Sequence, residues 1–270
     1  MKKISVLFLA VLLTGEVIAQ DWENVPSQIE EKFVYNVSWT IFDVGTITMT
    51  TESIYSNPDL KKITMKLKSN PDIPFISIDE WNTVIMRVSD GRTIYYQGKG
   101  EKDGEDVEVT LNYFDNENLA IHKVKNLKQN KIVLTDTINY PKPYFVGSSL
   151  IYYARLISDS GLVTNVPTLI DGKFYKTTLN YCGLTENIDT DISDEPVKAL
   201  KYEVSADWEG KGTAGLSDGY TGWLSGDKDL VVLRAEMDIF LGSIDVELNE
   251  WYKQGWVPPT KNRFAMQSKR

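Results

Sequence analysis

Apolar and polar residues alternate with a period of two along most of this chain. In "FVYNVSWTI", Phe33, Tyr35, Val37, Trp39 and Ile41 take one face, and Asn36, Ser38 and Thr40 take the other. Ile63, Met65 and Leu67 repeat the pattern, as do Val107, Val109, Leu111 and Tyr113. Further on, Leu200, Tyr202, Val204, Ala206 and Trp208 alternate in the same way, and so do Ile244, Val246 and Leu248. A strand dry on one face and wet on the other is the mark of antiparallel sheet, since parallel sheets are covered on both faces. Asp90-Gly91, Asp103-Gly104 and Asp171-Gly172 stand between such runs and suit tight hairpins. The spacing predicts about a dozen strands.

One segment departs from this rhythm. After Pro141 and Pro143, the residues Val146, Leu150, Tyr153 and Ile157 recur at helical spacing. They predict a helix over about 147–158, with Ser148 or Ser149 as its cap and Gly161 beyond its end. Its apolar stripe needs a partner, and the dry face of the sheet is the one available. The expected fold is therefore all-β: a curved antiparallel sheet, open barrel or sandwich, packed on this helix.

A phrase also recurs. "FDVGTITMT" (42–50) and "FLGSIDVEL" (240–248) share a glycine followed by Thr or Ser, Ile, a polar residue and Met or Val. None of these residues is a nucleophile, base or metal cluster, so the phrase is architectural. At least one of Gly45 and Gly242 is expected to sit at a sharp bend, bulge or positive φ, where glycine is tolerated. The phrase also raises the prospect of two similar halves.

Charge and address narrow the classes. Lys2 and Lys3 precede the apolar run Ile4–Leu13, and Val17-Ile18-Ala19 follows. This is the layout of a secretory signal over residues 1–19, and the apolar run is too short to span a bilayer. The remaining chain would be one β-rich domain over 20–257 with a flexible basic tail over 258–270. It is expected to be exported, to the periplasm or outer envelope. Without its leader the chain carries 27 basic and 37 acidic residues, a net charge of −10. Such a chain does not bind nucleic acid through its overall field. Cys182 is the only cysteine and closes no disulfide; it is read as a small apolar residue.

With these landmarks the chain resembles the exported bacterial family catalogued as domain of unknown function 3108. The resemblance rests on four stretches: "EKFVYNVSWTIFDVGTITM", the helix "SSLIYYARL" ending in Arg155, the hairpin "LIDGKFYKTTLNYCG", and "WLSGDKDLVVLRAEMDIFLGSIDVELNEW" from Trp223 to Trp251. It implies a β-rich envelope protein. More distantly, curved sheets wrapped around helices are similar to open barrels that carry lipids or lipoproteins. The resemblance supplies no catalytic residues.

Candidate chemistry is sparse. His122 is the only histidine, has cationic neighbours and lacks a nucleophile elbow, so it is read as a surface or sheet-face residue. Histidine-based zinc sites lack ligands. Glu80, Asp207 and Glu250 each precede a tryptophan, which keeps a carboxylate hydrolase as one alternative. "ENIDTDISDE" has Asp194 where a calcium loop needs glycine and Leu200 where it needs glutamate, so it reads as a solvated acidic loop. "GKGTAGLSDG" (210–219) has no phosphate-loop context. No cofactor and no metal are expected. The function read from sequence is a non-enzymatic envelope protein that binds a lipid-like ligand or a protein partner on a concave sheet face. A structural or interaction module with a filled core is the other alternative. The expected ligand-binding residues are Tyr35, Trp39, Leu150, Tyr153 and Ile157, framing an apolar pocket between helix and sheet.

Overall fold

The alternating stretches form strands of a single antiparallel sheet. In a computed structural model the described residues are 22, 24–73, 77–102, 104–114, 118–139, 145–158, 163–170, 173–207, 219–239 and 242–260. Eight strands come first: β1 (Ser27–Trp39), β2 (Phe42–Ile54), β3 (Leu60–Ser69), β4 (Asp79–Arg87), β5 (Thr93–Lys102), β6 (Glu105–Phe114), β7 (Leu119–Asn126) and β8 (Lys131–Asn139). Helix α1 (Ser148–Ile157) follows. Six more strands complete the chain: β9 (Val163–Ile170), β10 (Lys173–Thr190), β11 (Ser193–Ala206), β12 (Gly219–Ser225), β13 (Val232–Ile239) and β14 (Gly242–Lys253).

Their order is β8-β7-β6-β5-β4-β3-β2-β1-β14-β13-β12-β11-β10-β9. An eight-stranded and a six-stranded meander thus meet along β1 and β14, and the sheet ends at β8 and β9. The sheet is open: among the described residues no ladder joins its two ends. Instead it rolls around α1. Tyr152 packs with Ile63, Val84 and Met86 of the first arm. Leu150 and Ala154 pack with Leu179, Tyr181 and Tyr202 of the second. At the seam, side chains replace hydrogen bonds. Leu111 and Ile138 of the first arm meet Leu169 of β9, and Tyr113 and Ala120 meet Phe174 of β10.

The helix begins at the predicted place with a different cap. Gly147 is the N-cap, at φ 53. A Cβ there would lie 3.1 Å from the Tyr96 ring and 3.2 Å from Asn82 Oδ1, so both the backbone and the space favour glycine. The serines bind elsewhere. Ser149 Oγ accepts from the Val146 N–H (2.9 Å), and Ser148 N–H donates to Asn82 Oδ1 (3.4 Å). These contacts seat the start of α1 on β4.

The repeated phrase has a common structural setting. β2 and β14 flank β1 on opposite edges, both antiparallel to it. Gly45 lies at the register shift opposite Val37, where a Cβ would run into the Lys68 carbonyl. Gly242 has φ 103. Gly242→Val is expected to cost about 1 kcal/mol or more through backbone strain, read as a lowered melting temperature. An unchanged transition would refute that assignment.

The acidic stretch 186–195 is a hairpin arm and not a loop, although its carboxylates are exposed as expected. β10 and β11 pair as far as Thr190 and Ser193, because Ile188 and Ile192 pack on the cluster around Tyr35 and Leu248. Glu247 accepts from the Asp191 N–H at 2.7 Å and fixes the tip. At the other terminus, Lys198 N–H donates to Pro259 O (3.0 Å), so the chain after β14 returns to β11. Residues 1–21 and 261–270, with the leader and most of the tail, lie outside the described residues, as do Asp103, Gly161, Asp171, Gly172 and Trp208.

Candidate functional site

Arg155 is the one charged residue of α1, and the barrel is built to receive it. Its guanidinium donates through Nη1 to Glu31 Oε1 and through Nη2 to Glu31 Oε2 (3.2 Å). Nε reaches Leu230 O (2.9 Å), and Nη2 reaches Asp229 O (3.0 Å). Lys253 Nζ adds a second cation to Glu31 Oε2 at 2.9 Å. The guanidinium lies over the rings of Phe33 and Tyr152, with centroids 5.8 and 5.5 Å away. Burial by itself would raise the Glu31 pKa, but the hydrogen bonds and charges of Arg155 and Lys253 outweigh it and hold the carboxyl below its ordinary range. A paired carboxylate and an always-charged guanidinium make a clamp between α1, β1, β14 and the β12–β13 turn. They offer no poised acid or base.

Tyrosines fill the next layer. Tyr181 and Tyr202 stack with centroids 5.7 Å apart, and Tyr220 meets Tyr202 edge-on at 5.9 Å. Tyr181 donates its hydroxyl to the Ala154 carbonyl of α1. Burial pushes the phenols of Tyr35, Tyr181, Tyr202 and Tyr220 above their ordinary value.

The five residues expected to frame a pocket are divided among different settings. Leu150, Tyr153 and Ile157 come together in the cluster with Phe145, Leu179, Tyr202 and Leu224. Tyr153 also stacks on Phe145 at 4.1 Å and lies over Gly91. Tyr35 is 3% exposed, in the neighbouring cluster with Phe33, Leu233 and Leu248. Trp39 is half-buried at the far end of β1, beside Gly242. The helix face is thus packed against the sheet. A groove of about 520 Å³ is found on the other side of the sheet, lined by polar residues such as Thr178, Asn180, Glu203, Thr221 and Glu236.

The residues weighed for catalysis are dispersed. His122 is buried on the inner face of β7, opposite Leu111 and Asp136. Glu80, Asp207 and Glu250 belong to β4, the end of β11 and β14, and no two of these strands are neighbours. Burial, with Glu101 as a second cause, raises the Glu80 pKa. Asp207 accepts from the Lys176 N–H at 2.7 Å. Cys182 is half-buried on β10. Among the described residues, no three His, Cys, Asp or Glu side chains gather to hold a metal, and no helix is long and apolar enough to cross a membrane.

Sequence reasoning passed over the free edge. Every residue of β8 except Ile138 is exposed. Ile132, Val133 and Leu134 are 52%, 54% and 40% exposed. An edge strand presents unpaired N–H and C=O groups, and proteins usually protect it with charge, proline or a cover. Here a bulge between Val124 and Lys125 and the charges of Lys131 and Asp136 are the visible protection. The run "KIVLTDTIN" holds the signal, since three adjacent apolar residues cannot all face one core. Its edge position, however, depends on the sheet order.

Fold and interior together define a class: a β-barrel-like module in which one open sheet encloses a helix. Among solved structures, one similar in fold is the crystal structure of the beta-barrel-like protein of domain of unknown function DUF1849 from Brucella abortus. It is similar to this chain with a TM-score of 0.55 and 9% identity, over 84% of this chain and 99% of that one, a likeness of fold alone. No curated protein matches the chain. Residues 34–249 match the family described as Protein of unknown function (DUF3108), and the chain belongs to that family.

Proposed function

We propose that this chain is a non-enzymatic, exported protein of the cell envelope that works as an interaction module, with a partner protein adding a strand along β8. The observation that carries this reading is the exposure of Ile132, Val133 and Leu134 on a strand whose outer edge has no ladder partner among the described residues. Strand addition uses the main chain for affinity and alternate side chains for selectivity. The filled interior favours a protein partner over a lipid-like ligand, because α1 and its aromatic neighbours occupy the space a lipid would need. Residues 1–19 supply the expected export signal.

The test places a photo-crosslinking residue at Val133 in the native host, with Leu184, an exposed apolar residue on another strand, as the control position. One partner segment should be captured from Val133 and not from Leu184, as mapped by mass spectrometry. Ile132→Lys with Leu134→Lys should abolish the capture while changing stability by no more than about 0.5 kcal/mol, since both side chains are exposed. Equal capture from both positions, or capture that survives the lysines, would refute strand addition. Lipid that copurifies stoichiometrically in native mass spectrometry would restore the carrier reading.

A further inference from the structure

β8 carries two opposite charges that its own chain leaves unpaired. Lys131 and Asp136 are both exposed, and among the described residues neither forms an ion pair. Asp136 Oδ1 accepts from the Thr137 N–H (2.7 Å), which leaves Oδ2 open to a cation. In a regular strand an odd separation would put the two charges on opposite faces. The extra residue of the bulge, Val133, cancels that offset. Lys131 pairs with Asn126 and Asp136 pairs with His122, two buried residues an even number of positions apart on β7, whose ladder with β6 is regular. Both charges therefore share a face with Leu134, the partner of Val124. The other end of the sheet is capped. Phe145 N–H donates to Pro167 O, and Leu169 N–H donates to Phe145 O, both at 2.9 Å, so residue 145 occupies the outer edge of β9 over its second half.

We propose that the strand added along β8 is β8 of a second copy of this chain, antiparallel to the first, with the two-fold axis at Leu134. The proposal rests on the strand-addition reading and names its partner. In this register the bulges of the two copies are matched by symmetry. Leu134 meets the partner's Leu134 on the axis, and Ile132 and Val133 lie beside the partner's Thr135. Lys131 faces the partner's Asp136 on the same side of the sheet, and the pair occurs twice. Opposite charges directly across a ladder stabilise it, and like charges destabilise it. The two charges that guard this edge against other strands thus select their own copy. The chain is acidic overall, so two copies repel at a distance and a contact between them must bring its own complementary charges. A head-to-tail contact of β8 with the partner's β9 would propagate into an open array, and the cap at Phe145 opposes it.

Sedimentation velocity of the purified protein over a dilution series reads the contact. The expected result is an equilibrium of monomer and dimer without larger species. Lys131→Asp and Asp136→Lys should each weaken the dimer about tenfold at an unchanged melting temperature, because each brings like charges face to face. An equimolar mixture of the two variants should recover the dimer, since each copy then meets the charge it lacks. A parent protein that stays monomeric at every concentration overturns the proposal. So do single variants that dimerise as the parent does, or a mixture that stays monomeric. The photo-crosslinking residue at Val133 separates this proposal from the reading it rests on. Capture of β8 from a second copy supports both. Capture of a different protein overturns self-pairing and leaves strand addition standing, and no capture at all overturns both.

Discussion

Arg155→Ala should lower the stability of the protein by about 3–5 kcal/mol, the range for breaking a buried ion pair by removing one partner. The side chains of Arg155 and Glu31 are only 13% and 5% exposed, so the substitution strands a desolvated carboxylate against Phe33. Lys253, more exposed at 22%, cannot replace the bidentate partner. Two backbone carbonyls, of Asp229 and Leu230, also lose their donors. Urea melts of the parent, Arg155→Ala and the double variant Arg155→Met with Glu31→Leu test this. The double variant should recover most of the loss, because two apolar residues leave no charge unpaired. A loss below about 1 kcal/mol in Arg155→Ala would show that water reaches the pair and screens it.

The same pair sets an acid limit. Glu31 has a folded pKa below its unfolded value of about 4.3. Its contribution is therefore fully present above about pH 4.3 and is lost as the pH falls through the depressed folded value. Glu31→Gln should flatten that acid limb of the stability profile while lowering stability at neutral pH. An unchanged acid limb would assign it to other carboxylates.

Gly222→Val is expected to cost about 3 kcal/mol, near the upper end of overpacking penalties. Gly222 faces the Tyr202 ring so closely that a Cβ falls inside van der Waals contact with three of its atoms. Tyr202 is 1% exposed, with Tyr181 stacked on it and Tyr220 edge-on to it, so the ring has nowhere to go. Thermal melts of Gly222→Val, Tyr202→Leu and the double variant read the coupling directly. The double variant should be more stable than the sum of the single losses implies, because the smaller side chain makes room. Additive losses, or a Gly222→Val variant that melts with the parent, would mean that the ring moves freely.

Local rules were legible where neighbours in sequence settle the structure. The period-two runs mark strands because side chains of a strand alternate between faces. The stripe from Val146 to Ile157 marks α1, which spans Ser148–Ile157. Gly45 and Gly242 announced a bulge and a positive φ. Long-range facts were not legible. Period two locates the dry face of β1 but does not say whether that face meets α1, as Phe33 does, or stands beside a hairpin tip, as Trp39 does. Arg155 in an otherwise apolar helix gave a hint of a buried partner, yet Glu31 lies in a run of acids that looks solvated. The exposed character of β8 follows from its place at the end of the sheet order, which no local pattern encodes. The acidic arm misled because its carboxylates conceal Ile188 and Ile192, the two residues that dock it.

The meeting of β1 and β14 in mid-sheet has a consequence for how the chain matures. Lys253 and Glu31 are 222 positions apart, so the central ladder forms only when the last strand is available. Contacts of such separation slow folding, since the loop must close before they return anything. Until β14 arrives, β1 is an unguarded edge with Phe33 and Tyr35 uncovered, a species prone to aggregate. A chain made from its amino terminus spends most of its synthesis in that state, since β14 is the last strand to appear. A truncation just before Gly242 removes the 29 residues 242–270, and its damage would come chiefly from the loss of β14, the twelve-residue partner of β1.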